Sequence, residues 1–121
     1  MNCDNSCGGS KNIWGSGPNR LLRLVWNRVD PGSWFLDLGC GQGRDSLFML
    51  NKGFRVTAID TSINNIKYLK SQLSKDQLPM AHVYNKDIID FHIEPDKYSI
   101  INLFNVLQFI DKGEALGIIR I

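Results

Sequence analysis

Residues 34–45 constrain the fold of this chain more than any other segment. An apolar run leads to the carboxylate of Asp37, and glycines follow at positions 39, 41 and 43 before a segment of helical character. Alternate glycines directly after a buried strand indicate a tight βα turn. The backbone of such a turn can approach a bound small molecule closely, because no Cβ atom stands in the way. An anion just before that turn favours a cationic ligand over a diphosphate.

Apolar runs alternate with helical patterns along the rest of the chain. Strands are predicted at residues 34–38, 54–59, 81–84 and 98–104, and helices from Pro18, from Asp45 to about Asn51, after an N-cap at Thr61 or Ser62, and near residues 112–120. This alternation favours the α/β class, as a Rossmann-like open parallel sheet with helices on both faces and right-handed crossovers. Residues 1–17 are predicted to form a flexible arm and residues 18–121 the domain itself.

The composition argues against several classes of function. A net charge of +2 without a cluster of basic residues gives no reason to expect a nucleic-acid partner. No apolar run reaches the length of about eighteen residues that a membrane span needs, and the N-terminus does not resemble a secretory signal. The odd set of Cys3, Cys7 and Cys40 favours a reducing cytoplasm over a disulfide framework, and we expect no metal site.

Three aspartates follow the first three predicted strands: Asp37, Asp60 and Asp87. Because ligands of an open parallel sheet bind beyond the carboxyl ends of its strands, these carboxylates are expected to line one cleft. Asp60 is placed to accept hydrogen bonds from both hydroxyls of a ribose, and Asp87 from the exocyclic amine of an adenine. Two of these acids also have a purely structural alternative: Asp60 as a helix N-cap and Asp87 as a solvated loop residue.

The spacing of the glycines separates two nucleoside ligands. A dinucleotide fingerprint G-x-G-x-x-G begun at Gly39 requires glycine where Arg44 stands, and one begun at Gly41 requires glycine where Ser46 stands. The pattern present is instead an acid followed by G-x-G-x-G. A carboxylate near the loop suits a ligand that carries an ammonium and a sulfonium.

With these motifs the sequence resembles the class I S-adenosylmethionine-dependent methyltransferases, and most closely their tellurite-resistance and thiopurine types. The residues that carry the resemblance are Leu36 to Gly43 for the glycine motif, Val56 to Asp60 for the ribose acid, Asn85 to Ile88 for the adenine-side acid, and Tyr98 to Ile101 for the fourth strand. The resemblance implies S-adenosylmethionine as the cofactor. It places the methionine end of that cofactor near Asp37 and Asn105, although Asn105 could equally be a turn residue. The cofactor-binding residues that it implies are Asp37, Gly39, Cys40, Gly41, Gly43, Asp60, Thr61, Ser62, Asp87, Ile88 and Asn105.

The resemblance also implies that the chain is short for its family, with about four strands of a larger sheet. We therefore expect the cofactor-binding half of a methyltransferase that acts on a small molecule, and we nominate no catalytic base. One alternative is a non-catalytic cofactor-binding fragment, and a less favoured one is a nicotinamide-dependent oxidoreductase. The fourth strand would end the sheet as an apolar edge, which predicts a homodimer through that edge or a partner that supplies the missing half.

Overall fold

A computed structural model describes residues 18–104, 106–111 and 117–120. Its helices are α1 (Arg20–Val25), α2 (Arg44–Asn51) and α3 (Ile63–Ser71), and its strands are β1 (Trp34–Leu38), β2 (Arg55–Asp60), β3 (Ala81–Asn85), β4 (Tyr98–Leu103), β5 (Val106–Asp111) and β6 (Gly117–Arg120). Single 3-10 turns follow α1 at Trp26–Arg28, precede β3 at Leu78–Met80 and follow β3 at Ile88–Asp90. The predicted strands and the first three predicted helices are thus confirmed, with bounds that differ by one or two residues.

One sheet contains all six strands, in the order β3-β2-β1-β4-β5-β6. The first four strands are parallel, as predicted, and β1 lies at their centre between β2 and β4. In this register Leu38 is opposite Ile59, and Asp60 is opposite Asn85. The carboxyl ends of β1, β2 and β3 therefore meet at one edge, which is where an open α/β sheet places its ligand.

The two faces of the sheet are covered differently. Helices α1, α2 and α3 all contribute side chains to one core cluster, which includes Leu22, Met49 and Leu69. The opposite face buries a smaller cluster around Leu36, and Ile88 and Phe91 of the β3–β4 connection pack against it. The helical turn on this second face is the 3-10 turn at Ile88–Asp90.

The predicted last helix near residues 112–120 is wrong. Strands β5 and β6 occupy residues 106–111 and 117–120 and pair antiparallel, with residues 112–116 outside the described part of the chain. Leu103 pairs with Val106, and Phe104 between them has a positive φ of 46°, so the chain reverses directly after β4. The β-branched and aromatic residues that follow favour a strand after such a tight reversal.

The pairing of β5 with β4 also overturns the prediction of an exposed fourth-strand edge. Ile100, Ile101, Asn102 and Leu103 of β4 are all paired with residues of β5. Because the backbone groups on that side of β4 already have partners, a homodimer through this edge loses its basis.

Gly43 sets the start of α2 and its distance from α3. The residue has a φ of 86°, in the left-handed region, and the N–H of Leu47 donates to its carbonyl at 2.8 Å. A Cβ atom at this position would lie 2.4 Å from Cδ1 of Leu69, a core residue of α3 with no exposed surface. Glycine is therefore required here both by the backbone conformation and by the packing between the two helices.

We predict that Gly43→Ala destabilises the protein more than Gly53→Ala does. Both glycines have a positive φ, which costs alanine roughly 1–2 kcal/mol, but a Cβ atom at Gly53 would meet no described atom within 4 Å. The clash with Leu69 adds a further cost of roughly 1–3 kcal/mol for overpacking. Denaturant unfolding of the two variants measures the difference, and equal losses of unfolding free energy would contradict the packing argument.

Candidate functional site

The glycine loop between β1 and α2 is fixed to the end of β2 by its backbone. The N–H groups of Gly39 and Cys40 both donate to the carbonyl of Ile59 at 2.9 Å, and the N–H of Gly43 donates to the carbonyl of Cys40 at 3.0 Å. The loop therefore has a defined shape without help from a ligand. This preorganisation is what a binding loop needs, because little ordering remains to oppose binding.

The middle glycine faces open space. Gly41 has a φ of 59°, and a Cβ atom built on it would meet no described atom within 4 Å. Gly39 differs, because the ring of Phe104 lies against its Cα and would clash with any side chain there. Phe104 itself is 61% exposed. The loop thus offers bare backbone at Gly41 and an aromatic ring beside Gly39, an arrangement that can accept a small molecule in close contact.

The carboxylate of Asp60 organises the end of β2. It accepts hydrogen bonds from the N–H of Gly41 at 3.3 Å, from the N–H of Ser62 at 3.0 Å and from Nδ2 of Asn65 at 3.2 Å. A carboxylate has about four acceptor positions, so capacity remains for a ligand hydroxyl. Asp60 is half-buried and connects the glycine loop to the start of α3, where Ser62 is the N-cap.

Asp37 lies beneath the glycine loop in a network of buried polar groups. Its carboxylate is 1% exposed and accepts from Oγ of Ser46 at 2.7 Å and from Nδ2 of Asn102 at 3.0 Å. The same Nδ2 donates to the carboxylate of Asp45 at 2.9 Å. Asp45 also accepts from the backbone N–H of Asn19 at 2.5 Å. Elements β1, β4 and α2 and the residue that caps α1 therefore meet at two carboxylates.

Burial is the largest cause of the pKa shifts of Asp37, Asp45 and Cys40. It raises the pKa of Asp37 from its usual 3.8 to about 7, with the bonds from Ser46 and Asn102 lowering it and the nearby charges of Asp45 and Asp60 raising it further. Burial also raises the pKa of Asp45. The pKa of the Cys40 thiol is raised by burial and by the carboxylates of Asp37 and Asp60, so this cysteine is a poor nucleophile.

The other sequence-predicted residues lie along the same edge. Asp87 is exposed after β3, where its carboxylate accepts from the N–H of Ile89 at 3.1 Å, and Ile88 beside it is half-buried. Nδ2 of Asn85 joins β3 to the turn after β2, because it donates to the carbonyls of Asp60 and Thr61, both at 3.0 Å. Asn105 lies outside the described residues.

Sequence reasoning missed part of this site. Asp45, in the first turn of α2, was given no role by the sequence, yet it is only 8% exposed because Asn19 and Asn102 lie against it. Ser46 and Asn65, which donate to Asp37 and Asp60, carry no motif of their own. Asn102 did give a signal: it is a lone amide in an apolar strand, and buried polar groups require partners.

Other kinds of site find no support in the described ranges. No cluster of three or more His, Cys, Asp or Glu side chains that could hold a metal ion occurs there. Among the same residues, no helix is long and apolar enough to cross a membrane. What the site offers is bare backbone, an acceptor carboxylate at the end of β2 and a buried anion at the end of β1. Such donors and acceptors fit a nucleoside with a cationic tail.

Comparison with known proteins points in the same direction. The family model described as "Tellurite resistance protein TehB" matches residues 25–120. A TehB protein of Haemophilus influenzae, named as a probable S-adenosyl-L-methionine-dependent methyltransferase, is 34% identical over 85 residues, which are 70% of this chain and 29% of that protein. The chain thus spans less than a third of the length of this relative.

Two solved structures align with the fold of this chain over about two thirds of its length or slightly less. A TehB-like methyltransferase of Corynebacterium glutamicum aligns with a TM-score of 0.52 at 28% identity, over 65% of this chain and 40% of its own. Coclaurine N-methyltransferase, solved with N-methylheliamine and SAH (S-adenosylhomocysteine), aligns with a TM-score of 0.52 at 31% identity, over 60% of this chain and 23% of its own.

We predict that Asp37→Asn stabilises the free protein at alkaline pH. A carboxyl group whose pKa is raised on folding binds its proton more tightly in the folded state. Its contribution is therefore complete below about pH 4 and is lost as the pH rises through 7. Asparagine keeps an acceptor for Asn102 and cannot ionise. The unfolding free energy of the variant relative to the parent should rise between pH 4 and pH 8 by on the order of 4 kcal/mol. A pH-independent difference would contradict the assignment.

Proposed function

The chain belongs to the family of the tellurite resistance protein TehB, and from this premise we propose that it binds S-adenosylmethionine at the carboxyl ends of β1, β2 and β3, as the cofactor-binding part of a methyltransferase that acts on a small molecule. The observation that carries the proposal is a half-buried acceptor, Asp60, and a fully buried carboxyl group, Asp37, at the ends of two neighbouring strands, together with an open glycine backbone at Gly41.

Each predicted residue has a role in this proposal. Asp60 would accept from the ribose hydroxyls, with Thr61 and Ser62 flanking the adenine. The Asp87 side chain and the N–H of Ile88 would address the adenine edge. Asp37 would attract the ammonium at the methionine end. Gly39, Cys40, Gly41 and Gly43 would supply the backbone of the cradle, and Asn105, two residues after the end of β4, would lie beside the methionine end.

Methyl transfer from a sulfonium needs orientation more than proton transfer. The cofactor supplies an activated methyl group for an in-line displacement, so the residues of the chain have to bind, orient and exclude water. The buried Asp37 and the fixed glycine loop suit that task. The raised pKa of Cys40 argues against a covalent intermediate on its thiol. We assign no general base.

Two alternatives stay open to test. Since the chain spans 29% of the Haemophilus relative, it could bind the cofactor and transfer no methyl group. A nicotinamide-dependent oxidoreductase is disfavoured, because a diphosphate at the glycine loop would meet the buried carboxylate of Asp37.

The bounds of the binding domain, residues 18–121, and a cytoplasmic location stay predictions from the sequence. Coclaurine N-methyltransferase, solved with a small molecule, supports a small-molecule acceptor.

We predict that the chain binds SAH and does not bind NAD in titration calorimetry. Asp60→Asn should weaken SAH binding by at least about tenfold, because a neutral amide offers one acceptor oxygen where the carboxylate offers two. Asp76→Asn is the matched control, since Asp76 is an exposed aspartate in the α3–β3 connection.

Binding of NAD without SAH would contradict the proposal. Equal affinities of the parent and Asp60→Asn for SAH would contradict the role given to Asp60. Methyl transfer to an acceptor by the chain itself, followed with a radiolabelled methyl group, would exclude the non-catalytic alternative.

A further inference from the structure

Asn102 has an unusual position in the sheet. It lies in β4 directly opposite Asp37 of the central strand β1, in a strand whose other side chains include Ile100, Ile101 and Leu103. The residue is 2% exposed. A buried amide costs free energy unless hydrogen bonds replace its hydration, so its partners indicate why the strand keeps it there.

Both N–H bonds of this amide point to anions. Nδ2 of Asn102 donates to Oδ1 of Asp37 at 3.0 Å and to Oδ2 of Asp45 at 2.9 Å. No other described side chain donates to both carboxylates. The carbonyl oxygen of Asn102 is buried and has no partner among the described residues. The amide is thus oriented by the two carboxylates, even at the cost of an unsatisfied oxygen.

Without this bridge the two carboxylates would repel each other in a poorly hydrated environment. Asp45 belongs to the first turn of α2 and is fixed from its other side by the backbone N–H of Asn19. Asp37 is fixed from its other side by the hydroxyl of Ser46. Removal of the Asn102 amide therefore leaves each carboxylate with one fewer donor and with a neighbouring like charge.

We propose that Asn102 is a positioning residue for the methionine end of the bound nucleoside: by donating to two carboxylates at once, it holds Asp37 as the anion that attracts the ligand's ammonium. The inference rests on the proposed function and adds a residue outside the glycine, ribose and adenine motifs. Asn102 acts through Asp37 and touches no reacting atom in this account.

The charges around Asp37 set the direction of the effect. Asp45 from α2 and Asp60 from β2 raise its pKa, whereas Ser46 and Asn102 lower it. The remaining ionisable neighbours are the Cys40 thiol of the loop, whose own pKa is raised, and the Arg44 guanidinium, which lowers the pKa of Asp45. Loss of the Asn102 donors moves the titration of Asp37 to higher pH, so Asp37 is neutral, and attracts an ammonium less, at pH 7.

Two ligands that differ only at the methionine end separate this role from a structural one. SAH carries the ammonium, and 5′-methylthioadenosine has the same nucleoside without it. We expect Asn102→Leu to bind methylthioadenosine within about twofold of the parent and SAH at least about tenfold more weakly at pH 7. The midpoint of the pH profile for SAH binding between pH 6 and pH 8.5 should move upward. Ser99→Ala, a change at a buried serine of the same strand, is the matched control.

Two variants keep the test decisive. Should Asn102→Leu fail to fold, Asn102→Ser retains one donor and should give a smaller shift of the same sign. The carboxyl resonance of Asp37, followed by NMR in the parent and in Asn102→Ser, should titrate at higher pH in the variant. Equal weakening of both ligands, or an unchanged SAH profile, overturns the inference alone. Failure of the parent to bind either ligand overturns the proposed function and the inference with it.

Discussion

Burial of the Asp37 carboxylate removes its hydration, and donors from neighbouring elements have to replace it. Ser46 of α2 and Asn102 of β4 supply two such bonds, and the glycine loop that covers the carboxylate is itself held by the carbonyl of Ile59 in β2. One acid thus ties the central strand to β4 and to the first helix after it. The same acid places a carboxyl group at the start of a loop with bare backbone, which is the basis for the proposed cationic ligand.

Burial of the Asp37 carboxylate lowers the stability of the folded protein at neutral pH, and in the proposed site it favours binding of a cation. The raised pKa of Asp37 shows that the folded protein resists the charge at neutral pH, because burial outweighs the two hydrogen bonds. A neutral residue would relieve that cost and would also remove the attraction for an ammonium. Asp60, by contrast, is half-buried and accepts hydrogen bonds from three donors. In the proposed site, the two acids at neighbouring strand ends would therefore have different tasks, Asp37 attracting a charge and Asp60 accepting hydrogen bonds.

The sequence predicted the elements and residues whose signals are local. It did not predict those whose structure depends on contacts with residues far away in the chain. The apolar runs, the glycine loop and the Ser62 cap were predictable, because each follows from its own segment. The last helix, predicted near residues 112–120, was wrong, because residues 117–120 pair as a strand with β5, which itself pairs with β4. The part of Asp45 in the site was missed for a similar reason: its burial depends on Asn19 and Asn102, which are 26 and 57 residues away. No local pattern contains those contacts.

A crystal structure of the chain grown with S-adenosylhomocysteine tests the central claim most directly. We expect the ribose hydroxyls on the Asp60 carboxylate, the nucleoside against the backbone of Gly41, and the ammonium on the Asp37 side of the glycine loop. Density for the ligand at any other place on the sheet, or with its ammonium turned away from Asp37, would contradict it.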